Sequence, residues 1–357
     1  MAFKKKQIIF YDIDKLDALS YYIAGFQLNQ QKYNYQFKVK RHPPKFLKSP
    51  SLNKKWQRCF FAVGLFEYRT STTSFFFVID RGDHSSNKMN EGYRIPLLKK
   101  VRYYFKANYN PEFVDADPDV SRFKQKIIPI LPSFPICVPK RRHLLPWFLT
   151  AGSAPRVSQR IKLRLSHLFK LPSLNHFQQW RQVKSDLDVF FILVYYHEHH
   201  AHSHFRNQVM YFLEKRRQLK TTIGFVTHAL PSELAHLRQP RFRMIEYLSQ
   251  LARSKVAIYV RGPHDSISSK FGQLMAMGKP IVGQTIINNR EMLYKNHYFS
   301  EQFAFDDPKE LVNQVDELLH QPEKMKMLSR MNAETFDRFL APEMVISNLL
   351  ETLQKHE

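Results

Sequence analysis

Residue types that bind phosphate follow one short apolar run. The run Val256–Val260 leads into a polar loop that contains Arg261, Gly262 and three serines, and the loop leads to Lys270. Glycine lets the backbone approach a ligand closely, serine caps helices or contacts phosphate oxygens, and Arg and Lys supply positive charge. Backbone N–H groups at a helix start also favour anions. We therefore predict a phosphate-binding loop whose contacts include Arg261, Gly262, Ser266, Ser268, Ser269 and Lys270.

The elements around this loop are predicted to be a strand, a helix and a second strand. Val256–Val260 and Ile281–Val282 are short apolar runs typical of buried strands. Between them, Ser268–Met277 has the composition of a helix and ends at Gly278. Gln273 lies three residues after Lys270, about one helical turn, so both side chains are expected on one side of this helix. The pattern favours an α/β domain that presents a helix start to a ligand.

The second half of the chain repeats this alternation. A parallel, doubly wound sheet follows from it, with ligands outside the carboxyl ends of the strands. Arg206, near the start of the first helix, is then a predicted diphosphate contact. The predicted strands are Val189–Val194, Thr222–Val226, Lys255–Val260 and Pro280–Gly283, with helices near Phe205–Gln218, Phe242–Arg253 and Ser268–Met277.

The first 150 residues show strand-like runs separated by helix-like or turn-rich stretches. This order predicts a parallel sheet with helices on both faces. A Pro-rich passage, Ile128–Pro139, marks an irregular exit from the domain. The strand-like runs are Gln7–Tyr11, Arg58–Phe66, Ser74–Ile79 and Lys100–Phe105.

The segment Lys270–Val282, KFGQLMAMGKPIV, resembles the carboxy-terminal domain of GT-B glycosyltransferases, including the retaining group 1 sugar transferases. Their pattern is roughly K-x-x-E-A-M-A-x-G-x-P-V-V. One position departs from it: Gln273 stands where the family has a glutamate that holds the donor ribose. An amide still bonds hydroxyls, without the charge-assisted strength of a carboxylate. Residues Ile245–Lys255 and Lys100–Pro111 are also similar to segments of these enzymes.

The resemblance implies an α/β fold of two doubly wound Rossmann-like domains that face each other across a cleft. It implies a hexosyltransferase with a nucleotide-diphosphate sugar as co-substrate, no cofactor, and no metal for donor binding. A glycan or lipid-linked acceptor in cell-surface polysaccharide synthesis would lie on the first domain. The expected bounds are an acceptor-side domain at 1–155, a basic linker or helix at 156–185, a nucleotide-sugar domain at 186–340, and a last helix at 341–357 that packs back on the first domain.

Other candidate residues follow predicted strands. His197 and Glu198 open a histidine-rich stretch after Val189–Val194, and we expect them, with His264, at the cleft rather than around a metal. The stretch is not H-E-x-x-H, because Ala201 stands four residues after His197. Asp83 and His84 follow Phe75–Ile79 and are candidates for the base that deprotonates an acceptor hydroxyl. A turn with a helix cap is the alternative for these two residues.

The charge of +24 is unevenly distributed. Residues 1–60 hold 13 Lys and Arg against 3 Asp, whereas residues 301–357 hold 6 against 12 Asp and Glu. The basic half predicts an anionic partner, either lipid headgroups or nucleic acid, or else a solvated basic surface. The basic amphipathic segment Arg156–Lys170 either lies on an anionic membrane or packs as a linker helix.

Composition also bears on location. Two cysteines, Cys59 and Cys137, favour a reducing compartment, and an acidic break at Tyr11–Asp14 argues against a secretory signal. Apolar runs fall short of the roughly 18 residues of a membrane span. We expect a cytoplasmic protein, with peripheral attachment to the inner face of the membrane as an option. A basic nucleic-acid-binding protein and an inactive transferase-fold scaffold remain the alternative functions.

Overall fold

The computed structural model describes residues 6–12, 19–40, 44–47, 62–83, 92–137, 170–227, 230–294 and 301–355. The chain forms two compact units. The first consists of Met1–Ser173 with Phe339–Glu357, and the second of Leu174–Arg338. Each unit is built on one sheet with helices, so the predicted α/β class is confirmed. Predicted residue His84 lies outside the described residues, as does almost all of Arg156–Lys170.

The sheet of the first unit has six strands and mixed directions. Strand β3 runs antiparallel to both of its neighbours, and the other neighbouring pairs are parallel. The expected all-parallel sheet is therefore wrong here. The reason is the connection 70–73, which is too short for a parallel crossover and joins its two strands as a hairpin. In sheet order β2-β1-β3-β4-β5-β6, the strands are β1 Lys6–Tyr11, β2 Tyr35–Lys40, β3 Val63–Arg69, β4 Ser74–Asp80, β5 Tyr103–Lys106 and β6 Ile127–Pro129.

Aromatic side chains fill the core of the first unit. The ring of Phe66 stacks on that of Phe77 at 5.2 Å between centroids and lies 5.2 Å from Phe26. All three are fully buried. Rings of this size bury large apolar areas and give the sheet a fixed helix-facing surface. The helices before the linker are α1 Ser20–Leu28, α2 Ile95–Leu98, α3 Pro111–Ala116 and α4 Pro118–Ser121.

The second unit has a four-stranded parallel sheet in the order β10-β9-β7-β8. All four strands lie within two residues of their predicted bounds. They are β7 Leu187–Leu193, β8 Thr221–Phe225, β9 Ser254–Tyr259 and β10 Ile281–Gly283. The helices are α5 Leu174–Trp180, α6 His200–Glu214, α7 Met244–Ala252, α8 Ser269–Ala276, α9 Arg290–Tyr294, α10 Pro308–Leu319 and α11 Pro322–Thr335.

The strand order reverses between β7 and β9. From β7 the chain passes to β8 on one side, then crosses to β9 on the other side and continues outward to β10. Such a reversal leaves a crevice outside the carboxyl ends of the two central strands, where open α/β sheets bind ligands. The loops that follow β7 and β9 border this crevice.

The last helix, α12 Pro342–Gln354, belongs to the first unit and packs on α1. Asn29 donates from Nδ2 to the carbonyl of Glu343 at 2.7 Å and accepts at Oδ1 from the hydroxyl of Ser347 at 3.2 Å. Gly25 leaves room for the closely approaching carbonyl of Pro342. Across the described ranges, each helix is too short or too polar to cross a bilayer.

Candidate functional site

The two central strands of the second unit separate towards their carboxyl ends. Paired residues between β7 and β9 end at Val189 and Val256, whereas β7 stays paired with β8 through Leu193. The Leu193 carbonyl accepts the N–H of Val226 on the β8 side at 2.8 Å. Because successive carbonyls of a strand alternate in direction, those of Ile192 and Val194 point towards β9. These carbonyls need other donors.

Lys270, the second residue of α8, supplies one of these donors. Its ammonium donates to the Ile192 carbonyl at 3.0 Å and lies 5.1 Å from the ring centroid of Tyr247. The Tyr247 hydroxyl donates to the same carbonyl at 3.1 Å. Burial, and secondarily the positive charge of Arg206, lowers the pKa of Lys270 to about 7. This lysine is therefore held at the crevice with its charge poorly solvated.

Arg206, on α6, bridges the loops after β7 and β9. One terminal nitrogen donates to the Val194 carbonyl at 2.9 Å and the other to the Arg261 carbonyl at 3.2 Å. Its guanidinium lies 5.1 Å from the Tyr196 ring centroid, and its buried Nε has no hydrogen-bond partner among the described residues. Burial lowers the pKa of Arg206 to about 10. The predicted diphosphate contact is thus also a link between two loops.

The two cations form a positive centre, because the charge of Arg206 lowers the pKa of Lys270. The hydrogen bonds that both side chains make within the described residues go to main-chain carbonyls and not to carboxylates. Buried charges of one sign are costly unless an opposite charge joins them. A ligand diphosphate beside these side chains would supply that charge, so the arrangement is suited to binding an anion.

Arg261 has a different environment. Its Nε lies 3.3 Å from a carboxylate oxygen of Asp265, and a terminal nitrogen lies 3.3 Å from one of Asp306. Its main-chain N–H donates to the side-chain oxygen of Gln284 at 3.0 Å. Two carboxylates therefore balance the positive charge of Arg261, the residue that was predicted to contact the donor phosphates.

The loop between β9 and α8 is tightly turned. The Gly262 N–H donates to the Ser266 carbonyl at 2.8 Å, and a Cβ at Gly262 would collide with the Ser266 hydroxyl. His264 and Asp265 both adopt left-handed backbone angles, with φ of 56° and 57°. Asn288 holds the turn by donating to the Asp265 carbonyl at 3.2 Å. Left-handed non-glycine residues carry backbone strain that clusters at functional sites.

The predicted serines and Gln273 are partly committed to the fold. Ser266 is buried, and within the described ranges its hydroxyl has no hydrogen-bond partner. Ser268 occupies the N-cap position of α8, but its hydroxyl donates to the Val260 carbonyl at 3.5 Å instead of capping the helix. Ser269 is the first residue of α8. Gln273 is only 3% exposed, so the candidate ribose contact lies on the buried side of the helix.

The histidine-rich stretch borders the same crevice. His197 and Glu198 are exposed, and the His197 ring packs edge-on against Tyr195. His264 meets His199 with ring centroids 4.8 Å apart, which joins the two loops. The Nε2 atom of His202 is buried and has no hydrogen-bond partner in the described part of the chain, and burial lowers the pKa of His202 to about 3. Within the described ranges, no three His, Cys, Asp or Glu side chains form a metal-binding group.

The remaining predicted residue belongs to the first unit. Asp83 is exposed and lies in the turn that follows β4. A cavity of about 490 Å³ lies elsewhere, between α6 and the start of α10, where Phe205, Phe212 and Pro308 help to line it. Its lining includes none of the predicted donor-binding residues.

Sequence analysis missed several residues at the crevice. Tyr196 is the second residue after the predicted strand Val189–Val194, and that position was the available signal. Tyr247 and Asn288 come from elements that are distant in the sequence, and no local pattern marks them.

Comparisons with known proteins bear on the chain as a whole. No protein-family model matches the chain, and no curated protein sequence matches it significantly. Among solved structures, the chain is similar to a glycosyltransferase from Rickettsia africae ESF-5, at 14% identity and a TM-score of 0.44, over 96% of this chain and 82% of that one.

The chain is also similar to Anabaena HepE. The HepE complex with UDP-glucose aligns at 11% identity and a TM-score of 0.49, and the complex with UDP and glucose at 11% and 0.48; each alignment covers 98% of this chain and 100% of HepE. With TM-scores below 0.5, these likenesses assign no activity on their own.

Proposed function

We propose that the chain is a glycosyltransferase that moves a sugar, a hexose, from a nucleoside-diphosphate donor to a glycan or lipid-linked acceptor of cell-surface polysaccharide synthesis. The observation that carries this proposal is a pair of cations, half-buried Lys270 and buried Arg206, at the strand-order reversal of the second unit. Lys270 also opens the segment that resembles the donor domain of GT-B enzymes. The position of the two cations at the crevice and the motif Lys270–Val282 both support a diphosphate ligand.

The proposed chemistry is charge stabilisation at the leaving group. The bond between sugar C1 and the diphosphate oxygen breaks, and its electron pair leaves with the diphosphate. An acceptor oxygen forms the new bond to C1, and its proton passes to a base. The ammonium of Lys270 would donate to the departing diphosphate, where fixed donors in a poorly solvated site act most strongly. In this proposal the two cations neutralise the diphosphate, and donor binding needs no metal.

The other donor contacts are proposed around the same helix start. Ser269 opens α8 and offers its N–H end to the phosphates. Arg261 would exchange part of its contact with Asp265 and Asp306 for a phosphate oxygen. Gln273 is proposed to bond the ribose hydroxyls. Gly262 and the histidines His197 and His264 border the space that the donor would occupy.

The acceptor side rests on charge. The basic first 60 residues, with 13 Lys and Arg against 3 Asp, would attract a lipid-linked acceptor at an anionic membrane surface. Each Lys or Arg near such a surface contributes about 1 kcal/mol of attraction. The protein would then attach peripherally to the inner face of the membrane. Flotation with anionic liposomes should show binding at low salt that is lost at high salt, and binding that survives high salt would contradict this.

Titration calorimetry with UDP, GDP and ADP tests the donor site. We expect one of them to bind, and Lys270→Met to weaken it about tenfold to a hundredfold, as expected for losing a charge-assisted hydrogen bond. Lys279→Met is the matched control. The Lys279 ammonium also donates to carbonyls of the second unit, those of Ala252 and Ser254, at 2.5 and 2.6 Å, but Ser254 begins β9, at the opposite end of the sheet.

The outcomes separate the alternatives. Absence of binding to all three nucleotides would overturn the enzyme proposal and favour a nucleic-acid-binding protein. Binding without turnover of any corresponding sugar nucleotide would favour an inactive scaffold. Equal weakening by Lys270→Met and Lys279→Met would move the donor site away from the crevice between β7 and β9.

A further inference from the structure

A buried ion pair joins the ends of β4 and β5 in the first unit. Asp80 and Lys106 are the last residues of the two strands and register partners. The Lys106 ammonium lies 3.1 Å from Oδ2 of Asp80, and both side chains are fully buried. The Tyr104 hydroxyl donates to the same carboxylate oxygen at 2.5 Å. The pair therefore sits at the carboxyl edge of the sheet, at the start of the turn that carries Asp83.

Three side chains hold one residue of that turn. Oδ1 of Asp80 accepts the Gly82 N–H at 2.6 Å. The ammonium of Lys106 and the amide of Asn108 donate to the Gly82 carbonyl at 3.1 and 3.2 Å. Both main-chain polar groups of Gly82 are thus bonded to side chains that lie at, or two residues after, the ends of β4 and β5.

Stability alone does not explain the pair. Burial lowers the pKa of Lys106, which the charge of Asp80 opposes. Replacing a buried ion pair by apolar residues of similar volume is often neutral or stabilising. What an apolar pair cannot do is bond the N–H and carbonyl of Gly82. The ion pair is therefore suited to fixing the position of the turn.

We propose that Asp80 and Lys106 are positioning residues: through Gly82 they hold the turn Arg81–Asp83 so that the Asp83 carboxylate contacts the hydroxyl of a sugar acceptor. This inference rests on the proposed function and extends it to the acceptor. Asp83 takes the hydroxyl proton as the acceptor oxygen bonds to sugar C1, while the C1–O bond to the diphosphate breaks and its electron pair leaves with the diphosphate.

The test uses an apolar replacement of the whole pair, Asp80→Leu with Lys106→Met, because either change alone would leave a buried charge uncompensated. Turnover is measured as nucleotide release from a panel of UDP-, GDP- and ADP-sugars, with a mixture of free monosaccharides as the acceptor and water alone as the comparison. Exchange of the Gly82 amide hydrogen reports the turn itself. We expect a melting temperature near that of the wild type, Gly82 exchange faster by about tenfold or more, kcat lower by about tenfold or more, and a donor KM changed less than about twofold.

Lys126→Met is the matched control. The Lys126 ammonium also bonds two carbonyls of the first unit, those of Leu98 and Val101, both at 3.1 Å. We expect it to leave kcat and Gly82 exchange unchanged. Equal loss of kcat in the control, or unchanged Gly82 exchange in the double variant, would overturn the positioning role.

Faster Gly82 exchange with unchanged kcat would overturn the acceptor contact. If the wild type turns over no sugar nucleotide, the proposed function and the acceptor contact both fall. Gly82 exchange then still decides whether the pair fixes the turn. The two failures are therefore distinguishable.

Discussion

Lys270 and Arg206 donate to carbonyls that lie two residues apart on one strand edge, those of Ile192 and Val194. They come from different helices, α8 and α6, and meet where β9 no longer pairs with β7. The cations therefore occupy the place that a neighbouring strand would otherwise fill. The separation of two strands creates both the crevice and the need for donors that line it.

Lys270→Met should stabilise the protein. The pKa of Lys270 is lowered from 10.5 to about 7 in the folded chain, so the unfolded chain binds more protons between these values. The contribution of Lys270 to the free energy of unfolding is therefore lowest below pH 7 and rises between pH 7 and the unfolded-state pKa of 10.5. The variant should melt higher than the wild type, with the largest difference below pH 7. Thermal unfolding across pH 5 to 10 checks this, and a difference that does not vary with pH would contradict it.

Donor binding should take up protons above pH 7. A diphosphate beside Lys270 favours the charged ammonium and raises its pKa from about 7. Calorimetry in buffers of different ionisation enthalpy should show uptake of up to about one proton, absent in Lys270→Met. Observed enthalpies that are equal in all buffers at pH 8 would place the diphosphate away from this lysine.

Arg206→Lys should impair donor binding although it keeps the charge. A guanidinium bonds the Val194 and Arg261 carbonyls at once, whereas a single ammonium does not match this fork. We expect a loss of about 1–3 kcal/mol in stability and about tenfold weaker nucleotide binding. Arg181→Lys is the control: Arg181 bonds the Ala276 carbonyl and Asp337 in the same unit. Arg181→Lys should lower stability without changing nucleotide affinity. Equal loss of nucleotide affinity in both variants would refute the role of Arg206 in joining the loops after β7 and β9.

Gly25→Ala should loosen the last helix from the first unit. A Cβ at this position would collide with the Pro342 carbonyl and approach Ile346 Cγ1 at 2.5 Å. Overpacking of this kind costs about 1–3 kcal/mol. Urea unfolding should show the loss, and limited proteolysis should cut the chain near α12. An unchanged urea midpoint would mean that α1 and α12 move apart to accommodate the Cβ without a loss in the free energy of unfolding.

The fold of the second unit was predictable because its strands are buried runs between polar loops. Val256–Val260 and Ile281–Val282 illustrate this, and both are strands in the structure. In the first unit β2 was missed, since Tyr35–Lys40 is an edge strand whose lysines leave little apolar signal. The direction of β3 depends on the length of one turn, and strand composition does not encode it.

The candidate site was predictable only as far as local spacing reaches. Lys270 was found because its distance from Gly278 and Pro280 is a pattern within one helix and its exit. The contact of Arg261 with Asp306 was not found, because Asp306 lies 45 positions later and reaches Arg261 only through the fold. The contacts of Tyr247 and Arg206 likewise join residues that are too far apart in the sequence for one motif to include both.

Residues Phe339–Glu357 complete the first unit, although in the sequence the whole second unit separates them from the other residues of the first unit. On the ribosome, the second unit is therefore fully synthesised before the first has its last helix. Until then, the α1 surface around Gly25 and Asn29 is without its cover and is exposed to chaperones and proteases. The first unit therefore finishes folding only after the second unit has been synthesised, although most residues of the first unit come earlier in the sequence.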